Sequence, residues 1–201
     1  MKIHSLMIPD PITITEHASI QEAIEIMKAN AIRHLPVVSE ENLLKGFVTL
    51  ADLKQGFIPS MVADLALSDL MIKDPIFVDP DEDVEVAAQL IYKYKIGGMP
   101  VVKKGIVVGI ITESDILRAF IDMMGILTSS SRIDVVMGTE SDSFKKALQI
   151  IHDNGGDIIN VGLTAPQNQR RIYFFRLATC NTAKIKKALE QEGYEVASAM
   201  D

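Results

Sequence analysis

The stretches "GFVTLADL" (residues 46–53) and "GIITESDI" (residues 109–116) share one pattern, in which Gly, Thr and Asp recur at three-residue intervals and an apolar residue follows. A pattern that occurs twice in one chain indicates an internal duplication, which has to be recognised before any single motif is interpreted. The duplication therefore decides how the rest of this chain is interpreted.

The sequence before each stretch is repeated as well. "MIPDPITI" (7–14) corresponds to "MIKDPIFV" (71–78), and "IRHLPVV" (32–38) corresponds to "IGGMPVV" (96–102), both at an offset of 64 residues. The two Gly-x-x-Thr-x-x-Asp stretches lie only 63 residues apart, so one residue is missing from the segment that precedes the second of them. A change of one residue is what a surface turn tolerates.

Each repeat predicts the order strand, helix, strand, strand, helix. An extended segment follows each Asp-Pro pair, because proline disfavours helix for the residue before it. In the first repeat Ser19 and Glu22 have the spacing of a capping box, and apolar residues then recur at helical intervals. Two β-branched runs come next in both repeats, and second helices are predicted from about Asp52 and from about Ser114.

Composition and charge limit the classes of protein and partner. With 201 residues, of which 48% are hydrophobic and 23% charged, the chain can bury a core and form more than one domain. The net charge of −7 argues against a nucleic-acid surface. No apolar run approaches the roughly 20 residues that cross a bilayer, and no signal peptide is evident. Because Cys180 cannot form an internal disulfide, we expect a cytoplasmic protein without a membrane partner.

The repeated Thr-x-x-Asp spacing has two interpretations. In the first, Thr49 with Asp52 and Thr112 with Asp115 are capping boxes that only begin a helix. In the second, each carboxylate accepts hydrogen bonds from the adjacent 2′ and 3′ hydroxyls of a ribose. The residues alone leave both interpretations open, although an isolated match would favour the first.

The paired motifs closely resemble the CBS-domain pair, or Bateman module, over about residues 5–125. The resemblance implies an α/β (α+β) fold in which CBS domains at residues 1–62 and 63–127 are related by pseudo-two-fold symmetry. It also implies clefts between the two sheets that bind AMP, ADP, ATP, S-adenosylmethionine or a dinucleotide. A regulatory, non-catalytic protein follows from the same resemblance.

The family's binding residues are carried over by motif. Asp52 and Asp115 would hold riboses, and Thr49 and Thr112 would contact ribose or phosphate. The strand starts and the residues before two prolines would surround the base, and cations would hold phosphate. The complete predicted nucleotide site consists of Thr13, Ile14, Arg33, His34, Pro36, Thr49, Asp52, Phe77, Val78, Met99, Pro100, Thr112, Ser114, Asp115 and Arg118.

The two repeats differ where phosphate would bind. Arg33 and His34 in the first repeat correspond to Gly97 and Gly98 in the second, so we expect the two sites to be non-equivalent. A guanidinium can donate two parallel hydrogen bonds to phosphate oxygens, whereas a pair of glycines only leaves space for a ligand. A solvated residue at a helix end is an equally acceptable interpretation of Arg33. The four histidines show no metal-binding spacing, so no metal is expected.

The last seventy residues have a different pattern. After a small-polar linker, "TSSS" (128–131), residues 132–201 predict the order βαββαβ of a ferredoxin-like domain. This part resembles the ACT domain, which implies a small-molecule sensor. Ser141 and Asp142 stand where that family usually has Pro-Gly, and a carboxylate there would repel an amino-acid ligand. Association is therefore the expected main role of this domain.

The order CBS, CBS, ACT-like is similar to the acetoin-utilisation proteins of the AcuB family. The leading hypothesis is a regulator that senses an adenine nucleotide and acts on a metabolic partner enzyme. The alternatives are a ligand-free dimerisation scaffold and an ACT-type sensor. No P-loop, Gly-x-Ser-x-Gly or cysteine-nucleophile motif indicates an enzyme. A broad apolar stripe on the helix that contains Phe120 and Met123 predicts a homodimer, as the CBS resemblance does.

Overall fold

A computed structural model describes residues 1–55, 66–127, 130–138, 141–164 and 171–201. The chain divides into two compact units, Met1–Leu117 and Arg118–Asp201. The first unit contains both repeats. The predicted boundary at residue 62 lies outside the described residues, so the domain limits stay a prediction.

Both repeats contain the predicted helices and later strands in the predicted order. The short strand predicted after each Asp-Pro pair is present in the first repeat, whereas in the second that segment makes only an isolated bridge between Val78 and Val101. A 3-10 helix, Ile3–Ser5, precedes the strands and helices. The first repeat contains β1 (Ile8–Pro9), β2 (Ile14–Thr15), α1 (Ile20–Ala29), β3 (His34–Val38), β4 (Leu44–Thr49) and α2 (Leu50–Gln55). The second contains α3 (Leu67–Leu70), β5 (Ile72–Lys73), α4 (Val84–Tyr94), β6 (Gly98–Lys103), β7 (Ile106–Thr112) and α5 (Glu113–Met123). The predicted cap of α1 is confirmed, because the Ser19 hydroxyl accepts the Glu22 N–H at 3.1 Å.

The two repeats exchange their first strands. β1 pairs antiparallel with β7 of the second repeat, and β5 pairs antiparallel with β4 of the first. The sheets therefore have the orders β2-β3-β4-β5 and β1-β7-β6. The chain turns after each exchanged strand at Asp10 and Asp74, whose φ angles are 46° and 53°. Aspartate is among the few non-glycine residues that tolerate this left-handed backbone.

Each sheet has its own apolar core, and corresponding positions fill both cores. Leu35 and Val37 in the first sheet correspond to Met99 and Val101 in the second, and all four side chains are fully buried. The two repeats also meet directly, since Val38, Val102 and Val107 form one small cluster. The predicted pair of similar α/β halves is confirmed by this arrangement.

The second unit contains a four-stranded antiparallel sheet and two further helices. Its elements are β8 (Ser130–Met137), α6 (Ser141–Asp153), β9 (Ile158–Leu163), β10 (Arg171–Ala178), α7 (Thr182–Gln191) and β11 (Glu195–Met200). The strand order β11-β8-β10-β9 and the chain order βαββαβ are those of a ferredoxin-like fold. Ile133, Val135 and Phe175 of the sheet and Ile151 and Ile185 of the helices are fully buried and form its core.

The predicted linker at 128–131 is wrong in its second half. Ser130 and Ser131 belong to β8, and Ser131 is fully buried. Its hydroxyl accepts the Cys180 N–H at 2.9 Å and donates to the Cys180 carbonyl at 3.1 Å. Because both hydrogen-bonding roles are satisfied, a small polar residue fits inside the sheet and need not mark a linker. Thr128 and Ser129 lie outside the described residues.

Candidate functional site

Two clefts lie between the repeats of the first unit. The larger, called here the first cleft, has a volume of about 580 Å³, which falls in the range of small-molecule sites. Four of the predicted site residues line it together: Arg33, His34, Thr49 and Asp52. They come from the start of β3 and from the junction of β4 with α2.

The second cleft is the pseudo-symmetric counterpart of the first and has a volume of about 280 Å³. Six positions of the second cleft correspond to positions of the first. The pairs are Ile8 with Ile72, Pro11 with Pro75, Ile12 with Ile76, Ile32 with Ile96, Ile110 with Phe47, and Thr112 with Thr49. Arg33 and His34 line both clefts, whereas Gly97 and Gly98 line only the first. In the smaller second cleft, Arg33 and His34 occupy the positions that Gly97 and Gly98 occupy in the first.

Asp52 lies in the first turn of α2 and also lines the first cleft. Its Oδ2 atom accepts the Thr49 N–H at 3.1 Å and the Thr49 hydroxyl at 2.6 Å, and the Asp52 N–H reaches the Thr49 hydroxyl at 3.2 Å. The capping interpretation is therefore correct for this acid. Its other oxygen, Oδ1, accepts no hydrogen bond from the described residues, so the ribose interpretation stays open for the same side chain.

Asp115 makes the same capping box at the start of α5. Its Oδ2 accepts the Thr112 N–H at 2.8 Å and the Thr112 hydroxyl at 2.6 Å. Thr112 lines the second cleft, but Asp115 lies among the lining residues of neither cleft. The two acids therefore make the same helix cap, but only Asp52 lines a cleft.

His34 forms a wall shared by the two clefts. Its imidazole is half-buried and stacks on Phe47, with ring centroids 5.8 Å apart and an angle of 20° between the planes. A Cβ atom on Gly97 would lie 3.0 Å from its Nε2 atom, so the glycine is what lets the ring approach. Burial lowers the pKa of His34 from its ordinary value of 6.5, and Arg33 lowers it further, while Glu113 and Asp52 oppose the shift.

Cations are concentrated in the first cleft. Arg33, Lys54 and Lys95 line it, together with the two carboxylates Asp52 and Glu113. None of the three cations forms an ion pair with another described residue. A chain with a net charge of −7 therefore carries a local excess of one positive charge in this cleft.

Several predicted site residues do not line either cleft. Ile14, Val78 and Met99 are in the apolar cores, with exposed fractions of 5%, 1% and 0%, so the expectation that the strand-start side chains line a base is wrong for Ile14 and Val78. Because the chain turns at each Asp-Pro pair, it is Ile12 and Ile76 whose side chains reach the clefts. The remaining predicted residues away from the clefts are half-buried Thr13 and Asp115, buried Pro36 and Pro100, and exposed Phe77, Ser114 and Arg118.

Arg118 is predicted to bind phosphate but lies in solvent. Its side chain is 83% exposed and its Nε atom lies 3.9 Å from an Asp122 carboxylate oxygen. The lining residues that the sequence analysis did not include in the site are Phe47, Leu50, Ala51, Lys54, Ile72, Pro75, Ile76, Lys95, Ile96, Gly97, Gly98 and Glu113. The sequence of the repeats alone does not show which of these positions face a cleft, because that depends on how the two sheets pack.

The described residues contain neither a metal-type cluster nor a membrane-spanning helix. No group of three His, Cys, Asp or Glu side chains in the described ranges is arranged to hold a metal ion. Among the helices of those ranges, none is long and apolar enough to cross a membrane.

Comparisons with known proteins agree with this architecture. The CBS-domain family model matches residues 3–57 and 67–122, which together make up more than half of the chain. The chain spans about a fifth to a third of the length of the first curated relatives that it matches, which are longer proteins.

Three solved structures resemble the paired repeats. The CBS domain pair of protein MJ0100, in complex with 5′-methylthioadenosine and S-adenosyl-L-methionine, has a TM-score of 0.56 at 33% identity, covering 60% of this chain and 95% of that one. A protein assigned to acetoin utilization (AcuB) from Vibrio cholerae has a TM-score of 0.57 at 31% identity, covering 63% and 94%. CBSX2 of Arabidopsis thaliana, in complex with AMP, has a TM-score of 0.55 at 25% identity, covering 61% and 97%.

The family match falls on both copies of the duplicated stretch and on the two halves of the first unit. The predicted tandem pair is thereby confirmed, and this chain belongs to the CBS-domain family.

Proposed function

We propose that this protein is a non-catalytic regulator that binds an adenine nucleotide or another adenosyl compound in the first cleft. CBS domains are generally regulatory modules, and related pairs have been solved with S-adenosylmethionine, methylthioadenosine and AMP. The observation that carries the proposal is Asp52, which lines a cleft of about 580 Å³ and whose Oδ1 atom accepts no hydrogen bond from the described residues.

Each side of the first cleft has a role in this proposal. Asp52 accepts hydrogen bonds from the ribose hydroxyls through Oδ1, while Oδ2 keeps its bonds to Thr49. The apolar side chains of Ile72 and Ile76 contact the base. Arg33 reaches toward the phosphate end, where a guanidinium can make two parallel hydrogen bonds.

The second cleft would take a smaller ligand or none. It offers Thr112 and the shared Arg33 and His34, and its volume is about half that of the first cleft. The predicted ribose contact of Asp115 belongs to this proposal only if that side chain turns from its capping position.

A second candidate function is a ligand-free scaffold that assembles a homodimer. One observation favours it: both acids are engaged in helix caps, and Asp115 lines neither cleft. Exposed apolar side chains on α5 supply a surface for the dimer, with Phe120 42% and Met123 51% exposed. The ferredoxin-like unit would contribute to association as an ACT-like domain in either case.

The regulated partner is proposed to be a metabolic enzyme. The 31% identity with the acetoin-utilization protein of Vibrio cholerae supports a role in that pathway. The alternative for the second unit, an ACT-type sensor of its own ligand, is less favoured because Asp142 places a carboxylate in the first turn of α6.

Calorimetric titration of the full chain with AMP, ADP, ATP, S-adenosylmethionine, methylthioadenosine and NADH tests the sensor. We expect at least one compound to bind, and Asp52→Ala to weaken its binding by about tenfold to a hundredfold, the value of a hydrogen bond to a charged group. Asp115→Ala is the matched control, because it removes an identical cap outside the first cleft. Absence of binding by every compound, or equal affinity in wild type and Asp52→Ala, would favour the scaffold.

A further inference from the structure

The charge of the first cleft distinguishes it from the second. Three cations, Arg33, Lys54 and Lys95, face two carboxylates in the first cleft, whereas Arg33 faces the single carboxylate of Asp10 in the second. Burial lowers the pKa of His34, so this residue adds little positive charge at neutral pH. The excess positive charge therefore belongs to the first cleft and comes from lysines that the second cleft lacks.

Lys95 is the clearest difference between the repeats. It caps the C-terminal end of α4 with φ at 56°, and its counterpart Ala31 has the same left-handed backbone with φ at 53°. The backbone conformation is thus common to both repeats, while at this position a lysine lines the first cleft and an alanine lines the second. This position does not require lysine for backbone reasons, because alanine adopts the same conformation.

The Lys95 ammonium is held by an aromatic ring and by no described carboxylate. Its Nζ atom lies 4.1 Å from the centroid of the Tyr92 ring, and Tyr92 is 77% exposed. A cation–π contact at such an exposed position is weaker than a charge-assisted hydrogen bond to phosphate. The ammonium can therefore leave the ring when a phosphate enters the cleft.

The opposing carboxylates weaken this attraction only in part. Oδ2 of Asp52 already accepts two hydrogen bonds from Thr49, which stabilise its charge within the helix cap. Glu113 lies on the side of Gly97, where its Oε1 atom would be 4.0 Å from an added Cβ. Because Glu113 is exposed, solvent and salt screen its repulsion of a bound phosphate, which is therefore weaker than it would be in a buried site.

We propose that Lys95 is a specificity-determining residue of the first cleft and selects adenosyl compounds that carry a phosphate over uncharged or cationic ones. The inference rests on the proposed function and names the ligand class of the same cleft. A phosphate monoester carries close to two negative charges at neutral pH, methylthioadenosine carries none, and S-adenosylmethionine carries a sulfonium cation. A local excess of positive charge favours the first over the other two.

The test compares AMP with methylthioadenosine, by calorimetric titration of the full chain at low ionic strength. We expect wild type to prefer AMP, and Lys95→Gln to weaken AMP by about tenfold or more while leaving methylthioadenosine unchanged. Lys93→Gln is the matched control: Lys93 lies 5.1 Å from the Tyr94 ring, carries the same charge and does not line the cleft. It should change neither affinity.

Three results would overturn the inference while leaving the proposed function intact. The first is a wild type that binds methylthioadenosine or S-adenosylmethionine as tightly as AMP. The second is a Lys95→Gln variant that weakens both ligands equally, which would indicate a packing role. The third is an equal loss of AMP affinity in Lys93→Gln, which would indicate that the ligand responds to the overall charge of the surface and not to Lys95. If no adenosyl compound binds to wild type, the proposed function and this inference both fail.

Discussion

Oδ2 of Asp52 accepts hydrogen bonds from both the backbone N–H and the hydroxyl of Thr49, at 3.1 and 2.6 Å, while Asp52 also lines the first cleft. The observed helix cap uses one oxygen of this carboxylate, and the proposed ribose contact would use the other. Asp115 repeats the cap with Thr112 but not the position in a cleft. The comparison of these two acids separates helix capping from ligand binding.

In the absence of ligand, Asp52→Ala and Asp115→Ala should each lower the free energy of unfolding by about 1 kcal/mol, the usual cost of losing such a cap. Urea unfolding followed by circular dichroism measures this, since the chain has no tryptophan for fluorescence. Ser114→Ala is the control, because Ser114 is exposed and begins no cap. An unchanged stability in either aspartate variant would show that its cap contributes nothing.

His34 should make the stability depend on pH. Burial lowers its pKa in the folded state below the ordinary 6.5 of the unfolded chain, so the folded state binds fewer protons in that interval. The free energy of unfolding should therefore fall as the pH drops from 6.5 toward the folded-state pKa and should be fully retained above 6.5.

The measurement is urea unfolding at a series of pH values between neutrality and the onset of carboxylate titration. His34→Gln, which cannot be protonated, should lose this component of the pH dependence. His17→Gln is the control, because His17 is exposed and lies outside both clefts. A steeper decline in His34→Gln than in wild type would contradict the direction assigned to this pKa.

Gly162 and Phe174 form a complementary pair in the sheet of the second unit. They are directly paired across β9 and β10, and a Cβ atom on Gly162 would overlap the Phe174 ring. Gly162→Ala should therefore destabilise this unit by about 1 to 3 kcal/mol, the usual cost of overpacking. The thermal unfolding temperature, followed by circular dichroism, measures the change.

The double variant Gly162→Ala with Phe174→Ala should recover part of that loss, because the ring that causes the overlap is gone. Gly138→Ala is the control, since no atom of the described residues lies within 4 Å of its added Cβ. Additive losses in the double variant would mean that the two residues do not interact.

Assembly through α5 predicts a homodimer in solution. Charged side chains introduced at its exposed apolar positions, Phe120→Glu with Met123→Glu, should yield a folded monomer because they place like charges in the proposed interface. Light scattering after size-exclusion chromatography measures the mass, and circular dichroism checks the fold. Lys28→Glu, on the exposed side of α1, should leave the dimer intact. A wild-type monomer would exclude this proposal.

Local sequence signals predicted most of the fold. The Ser19 cap of α1 and the two Thr-x-x-Asp helix starts are present in the structure, because capping depends on residues close in the chain. Ser130 and Ser131 were wrongly predicted to lie in a linker, because only residues close in the chain were considered. Small polar residues are typical of linkers, and only the distant Cys180 backbone shows why Ser131 can be buried.

The site was predictable only in part, because its walls come from both repeats. Arg33, His34, Thr49 and Asp52 carry side chains whose chemistry suggests a nucleotide, and they do meet in one cleft. The apolar residues predicted to face the base, Ile14 and Val78, lie two positions after the residues that line the clefts, Ile12 and Ile76. Whether a residue such as Ile76 or Val78 faces the cleft depends on where the strand turns and with which strand it pairs.

The sequence by itself determined a duplicated CBS unit and the order of its helices and strands, since these depend on spacing within each repeat. Only the tertiary structure decided that β1 and β5 are exchanged between the repeats and that the two clefts differ in size and charge. The physical reason is that these features depend on contacts between residues far apart in the chain: β1 pairs with β7, β5 pairs with β4, and His34 packs over Gly97, 63 positions away.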